Sequence, residues 1–151
     1  MELNQEHTLE INDIKTFSSS EVTLLGITID WKLQFNRHVE NMCNKARKIT
    51  GAFMRLNDKL NQEQKVILYN SFIKSQFGYC PIVWMCHGKV AERQINSIHK
   101  RALRAIYKDF KSSFNELLKK GNHETIHQSN LKHLIVKVYR CLRKETNRNS
   151  E

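Results

Sequence analysis

"KVAERQINSIHKRALRAIYK", residues 89–108, places Ile95, Ile98, Ala102 and Ile106 at steps of three and four. On a helix turning about 100° per residue those four share one face, which predicts a helix from about Lys89 to Tyr107. On the same wheel Arg93, Lys100, Arg101, Arg104 and Lys108 lie opposite the apolar stripe, and Lys111 continues their line. Gly88 is placed to break the chain before this helix.

Working outward, the same periodicity recurs. Val39, Met42, Cys43, Ala46, Ile49, Phe53 and Leu56 predict an amphipathic helix from Asn36, a candidate N-cap, to about Asn57. Arg37, Lys45, Lys48, Arg55 and Lys59 stand on its other side. Asn61 and Gln64 have capping-box spacing for a helix through Val66, Tyr69, Ile73 and Phe77, which Pro81 must kink or end. "FGYCPIVWMC", residues 77–86, is apolar all round and is expected at the centre of the domain. Ser113 with Glu116 caps a short helix that Gly121 is placed to end. Thr125 with Gln128 opens a last helix with the stripe Leu131, Leu134, Ile135, Val138 and Leu142, opposed by Lys132, Arg140, Arg143 and Lys144.

Only Thr8 to Asp30 reads as strand. Leu9 and Ile11 alternate, Asn12-Asp13 offers a turn, and "EVTLLGITID" is apolar and β-branched. The expected fold is mainly α: about five helices over residues 31–145, preceded by a small hairpin in residues 1–30 and followed by a polar tail, residues 146–151.

The formal charge is +10, but Met1–Asp30 holds six acids against Lys15 alone, leaving 24 bases and 9 acids in the remainder. That surplus favours a polyanionic partner, because phosphate contacts supply most non-specific affinity. A single basic helix face is usually just solvated; three of one sign, with Glu92 and Asp109 only near the ends of 89–108, favour backbone phosphates. No run approaches the roughly 20 apolar residues of a membrane span, and the acidic N-terminus lacks the order of a signal peptide. The chain therefore reads as intracellular, in nucleus or cytoplasm, with no membrane partner. Its cysteines, Cys43, Cys80, Cys86 and Cys141, are expected as reduced thiols, at least two of them in the core.

Catalytic patterns are missing from the sequence. Two-metal phosphoryl chemistry needs clustered carboxylates, and the four Asp include no adjacent pair. Asp30 closes a strand and reads as a turn or cap residue. No phosphate loop, nucleophile elbow or His-Glu-x-x-His occurs. Cys80, Cys86, His87, His123 and His127 match no zinc spacing. His99 is a partly buried residue or a phosphate contact, and Trp31 and Trp84 are either packing residues or stacking platforms for bases. Neither a cofactor nor a small-molecule substrate is expected.

Five segments in order, "VTLLGITIDWKLQFNRHV" (22–39), "SFIKSQFGYCPIVW" (71–84), "INSIHKRALRAIYKD" (95–109), "SFNELL" (113–118) and "TIHQSNLKHL" (125–134), resemble the C-terminal end of non-LTR retrotransposon reverse transcriptases of the jockey-like group. The resemblance covers about Thr8 to Arg143. It implies that the Leu-Gly strand closes a polymerase palm and that the helices after it form a thumb packed along template-primer. It also implies that the complete RNA-directed DNA polymerase uses Mg²⁺ on palm aspartates upstream of the residues here, so this chain is expected to extend no primer. The leading expectation is a non-catalytic module binding RNA, DNA or an RNA-DNA hybrid. The alternatives are a helical protein-interaction module and a non-functional relic of a mobile element.

Overall fold

In the computed structural model, residues 8–11, 14–85 and 88–148 are described, and the fold is mainly α. The chain divides into two units, Met1–His38 and Val39–Glu151.

The first unit holds two separate antiparallel hairpins, β1 (Thr8–Ile11) with β2 (Ile14–Phe17) and β3 (Glu21–Leu24) with β4 (Ile27–Asp30). The expected Asn12-Asp13 turn lies outside the described residues. Between β3 and β4 the chain reverses at Leu25 (φ 49°) and Gly26 (φ 80°). Two successive positive φ values give the turn whose twist matches paired strands, and Gly26 adopts its value without strain. Asp30 organises the stretch 31–35. Its Oδ1 accepts from the backbone N–H of Lys32 (3.1 Å) and Gln34 (3.0 Å), and its Oδ2 from Phe35 (2.5 Å). The Gln34 hydrogen bond is the largest influence holding its carboxyl below the ordinary range.

Asp30→Ala is therefore expected to loosen residues 31–35 while leaving the second unit folded. Amide exchange at Lys32, Gln34 and Phe35 should rise, and unchanged protection would contradict the assignment. Because the folded carboxyl titrates below 3.8, the wild-type clamp holds above that pH and is lost on further acidification.

Helix α1 (Asn36–Arg55) begins at Asn36, so this residue is not the N-cap. Phe35, before it, has φ 53° and gives its N–H to Asp30. The first turn also ties to the hairpin. Thr28 donates its N–H to His38 Nδ1 (3.4 Å), and Arg37 pairs with Glu21 at 2.8 Å.

The second unit is built around α4 (Lys89–Tyr107), which packs against α2 (Gln62–Leu68), α5 (Phe114–Lys120) and α6 (Ile126–Arg148). Its buried face carries Ile95, Ile98, Ala102 and Ile106 as the spacing predicts. His99, Leu103 and Ala105 are buried too, so the face is wider than a stripe. Capping boxes open α2 (Asn61 with Gln64) and α5 (Ser113 with Glu116), each with both reciprocal hydrogen bonds. Thr125 and Gln128 exchange the same pair ahead of α6, at 3.1 Å each.

The predicted helix through Phe77 is interrupted in pitch. After α2 the chain widens into a π-turn over Tyr69–Ile73 and tightens into a 3₁₀ turn over Lys74–Phe77. Tyr69, Ile73 and Phe77 are four apart, and each such step overshoots an α-turn by about 40°. The widened turn offsets that drift over Tyr69–Ile73, the tightened turn adds to it over Ile73–Phe77, and all three side chains are buried. Pro81 opens α3 (Pro81–Met85), the position where its missing N–H costs nothing.

Two expectations about burial fail, and a third is met by only one described residue. Within the stretch expected at the centre, Phe77 and Trp84 are buried, but Tyr79, Cys80 and Ile82 are exposed, because two turns and a short helix there leave one side to solvent. Of the cysteines expected in the core, Cys43 is buried, its thiol pushed up by that burial, Cys80 and Cys141 are exposed, and Cys86 lies outside the described residues. The α6 stripe is likewise uncovered beyond its first turn.

Candidate nucleic-acid interface

The cations that α1 and α4 carry meet at one end of the helical unit. Arg101 Nε lies 3.0 Å from Met54 Sδ in the last turn of α1, and Lys108 Nζ reaches Asp58 Oδ1 at 3.3 Å in the 3₁₀ turn Asn57–Lys59. Arg55 and Lys59, neighbours of Met54 and Asp58, are exposed there. Lys65 joins them from α2: it is 3% exposed, and its ammonium is disfavoured first by burial and then by the charge of Lys108, with Asp58 opposing.

Lys65 belongs to no basic helix face that spacing marks out. Its spacing of four from Tyr69 was the available signal, since that step puts it on the buried side of α2. Lys108 occupies a left-handed position (φ 50°) as the C-cap of α4. Its ion pair with Asp58 is open to solvent, with side chains 60% and 92% exposed. Such a pair contributes little and yields readily to a phosphate.

The other candidate residues are distributed more widely. Lys45 and Lys48 are exposed along α1, Arg93 at the start of α4, and Lys111 in the turn after it. Lys100 and Arg104 are half-buried at the edges of the wide α4 face, and Arg104 Nε is buried with no protein partner. Arg37 belongs to the first unit, where Glu21 holds it. Among the described residues, only Arg37 and Lys108 of the eleven candidates pair with a carboxylate. The turn at Lys111 is set by Asp109. Its carboxylate accepts from the Ser112 hydroxyl (2.7 Å), the N–H groups of Ser112 and Lys111, and Lys120 Nζ (3.2 Å), with the Ser112 hydroxyl the largest cause of its lowered pKa.

His99 cannot meet a phosphate, being 1% exposed. It stacks on Tyr69 (centroids 5.5 Å apart) and meets the edge of Phe114 (5.3 Å). Trp84 is core, its ring edge-on to Phe77 at 6.3 Å. Trp31 is 62% exposed in the first unit, with Lys32 Nζ 4.8 Å over its ring.

Among the described residues, no group of three or more His, Cys, Asp or Glu is arranged to hold a metal ion. Of the described aspartates, Asp30 gives its carboxylate to three backbone N–H groups, Asp58 pairs with Lys108, and Asp109 is engaged by its own turn and Lys120. No helix among them is long and apolar enough to cross a membrane. No family model, curated protein or solved structure matches the chain.

Proposed function

We propose that this chain is the thumb-like part of a non-LTR-type reverse transcriptase and that it grips the backbone of RNA, DNA or an RNA-DNA hybrid without reading sequence. One observation carries the reading. The Met54–Arg101 and Asp58–Lys108 contacts gather the exposed Arg55, Lys59, Arg101 and Lys108 from two helices and a turn into one cationic patch, with the buried Lys65 of α2 beside it and Asp58 within it. Cations spread along helix faces position a protein on a duplex through its phosphates. The order of the five resembling segments and the helical architecture support the same reading. The proposed activity is binding, and catalysis would belong to carboxylates not found here.

If about five phosphates are neutralised, log affinity for an RNA-DNA hybrid should fall with log salt at a slope of about −4.5. Arg55→Glu, Lys59→Glu and Arg101→Glu together remove three contacts and should bring the slope to about −2, with far-UV circular dichroism unchanged. A salt-independent affinity, or full affinity in the triple variant, would overturn the proposal.

A further inference from the structure

Helix α6 changes character along its length. Its first turn is anchored: Ile126, Ser129 and Asn130 are buried, and Asn130 donates from Nδ2 to the Phe77 carbonyl at 2.7 Å. From Leu131 to Arg143 every side chain is exposed except half-buried Leu134. Leu131, Ile135, Val138, Tyr139 and Leu142 each leave 46–61% of their surface uncovered. With Leu134 they occupy an arc of about 140° over three turns, advancing 100° per residue. Their uncovered area is on the order of 500 Å², at the upper end of what monomers leave open.

The pattern identifies what fits. Leu131, Leu134, Ile135, Val138 and Leu142 fall at heptad positions a, d, e, a and e, the broad face of a helix packed inside a bundle rather than a bare two-stranded seam. Of the bases of this segment, Lys137 and Arg143 lie beside the arc on either side, Lys132 beside it is paired with Glu124, Arg140 lies behind, and between Leu131 and Arg143 there is no acid. A second copy of the chain would bring like charges to both flanks. A lipid surface is matched less well, because the arc has no Phe or Trp and Val136 interrupts the cationic side. We infer that the exposed face of α6 is a docking surface for an amphipathic helix of a partner protein, with an apolar ridge flanked by acids. This surface is separate from the cationic patch and does not depend on the nucleic-acid reading.

The test uses the full chain and two synthetic helical peptides with the same leucine ridge, one flanked by glutamates and one by lysines. Titration by fluorescence anisotropy should show the glutamate peptide binding at least about tenfold more tightly than the lysine peptide. Ile135→Glu with Val138→Glu should abolish that binding while the circular dichroism spectrum is kept. Lys137→Glu with Arg143→Glu, one on each side of the arc and leaving it intact, should invert the preference between the peptides. Equal binding of both peptides, binding only to vesicles containing phosphatidylserine, or self-association in light scattering without peptide binding would each overturn the inference.

Discussion

Gly121→Ala is expected to destabilise the helical unit by about 1–3 kcal/mol, the usual cost of forcing atoms into a filled site. A Cβ on Gly121 would stand 1.7 Å from Tyr107 Oη and 2.6 Å from Cδ2 and Nε2 of His123. The backbone is not the obstacle, because Gly121 has φ −114° and the left-handed residue of this corner is Asn122 (φ 50°). What the methyl group displaces is the Tyr107–His123 hydrogen bond (2.8 Å) in a cluster where the His123 ring also meets the edge of Tyr69. The variant should unfold at lower urea concentration. Removing the hydroxyl with Tyr107→Phe opens the space, so Gly121→Ala made in that background should cost markedly less. Equal costs in both backgrounds would show that the clash is not with the hydroxyl.

Acidification from pH 7.5 to pH 5 is expected to remove about 2 kcal/mol of folding stability through His99 alone. The ring is packed between Tyr69 and Phe114, and neither nitrogen has a protein partner. Burial, followed by the charges of His123 and Lys74, depresses its pKa from 6.5 to about 3. In the unfolded chain the imidazole takes up its proton as pH falls through 6.5, whereas in the folded chain it stays neutral until about pH 3. Across that window the unfolded state binds more protons, so stability is complete above pH 6.5 and declines by up to about 1.4 kcal/mol per unit below it. His123, lowered by burial and by Lys74, contributes in the same direction. Urea midpoints at pH 7.5, 6 and 5 measure the slope. His99→Leu removes the titrating group while keeping an apolar body of similar size, so its profile should be flatter by the His99 share. An unchanged slope in that variant would place the acid sensitivity elsewhere.

The contrast between these residues shows what a periodic pattern carries. Ile95, Ile98, Ala102 and Ile106 are buried because an amphipathic helix must turn its apolar stripe inward, and that rule needs no knowledge of the partner. Capping boxes at Asn61, Ser113 and Thr125 are equally local, each closed within three residues. Asp30 was readable as a turn residue for the same reason. His99 was not readable as fully buried, because its burial depends on Tyr69 and Phe114, brought to it from elements remote in sequence. Nor was the π-turn over Tyr69–Ile73, whose pitch departs from the regular helix that the four-residue spacing predicts.

The cationic patch divides along the same line. Helix faces bearing Arg55, Arg101 and Lys108 follow from spacing along each helix, but spacing cannot say which faces converge. The contacts from Met54 to Arg101 and from Asp58 to Lys108 decide that, and they recruit Lys65, which one-helix reasoning passed over. The last helix is the reverse case, since its stripe predicts burial and most of it is exposed. By itself, then, the sequence determined helix positions, caps and net charge, because these depend on neighbours within a few residues. Only the tertiary structure decided which charges share a surface, which polar rings are sealed inside and which apolar face stays open, because each depends on elements brought together from distant parts of the chain.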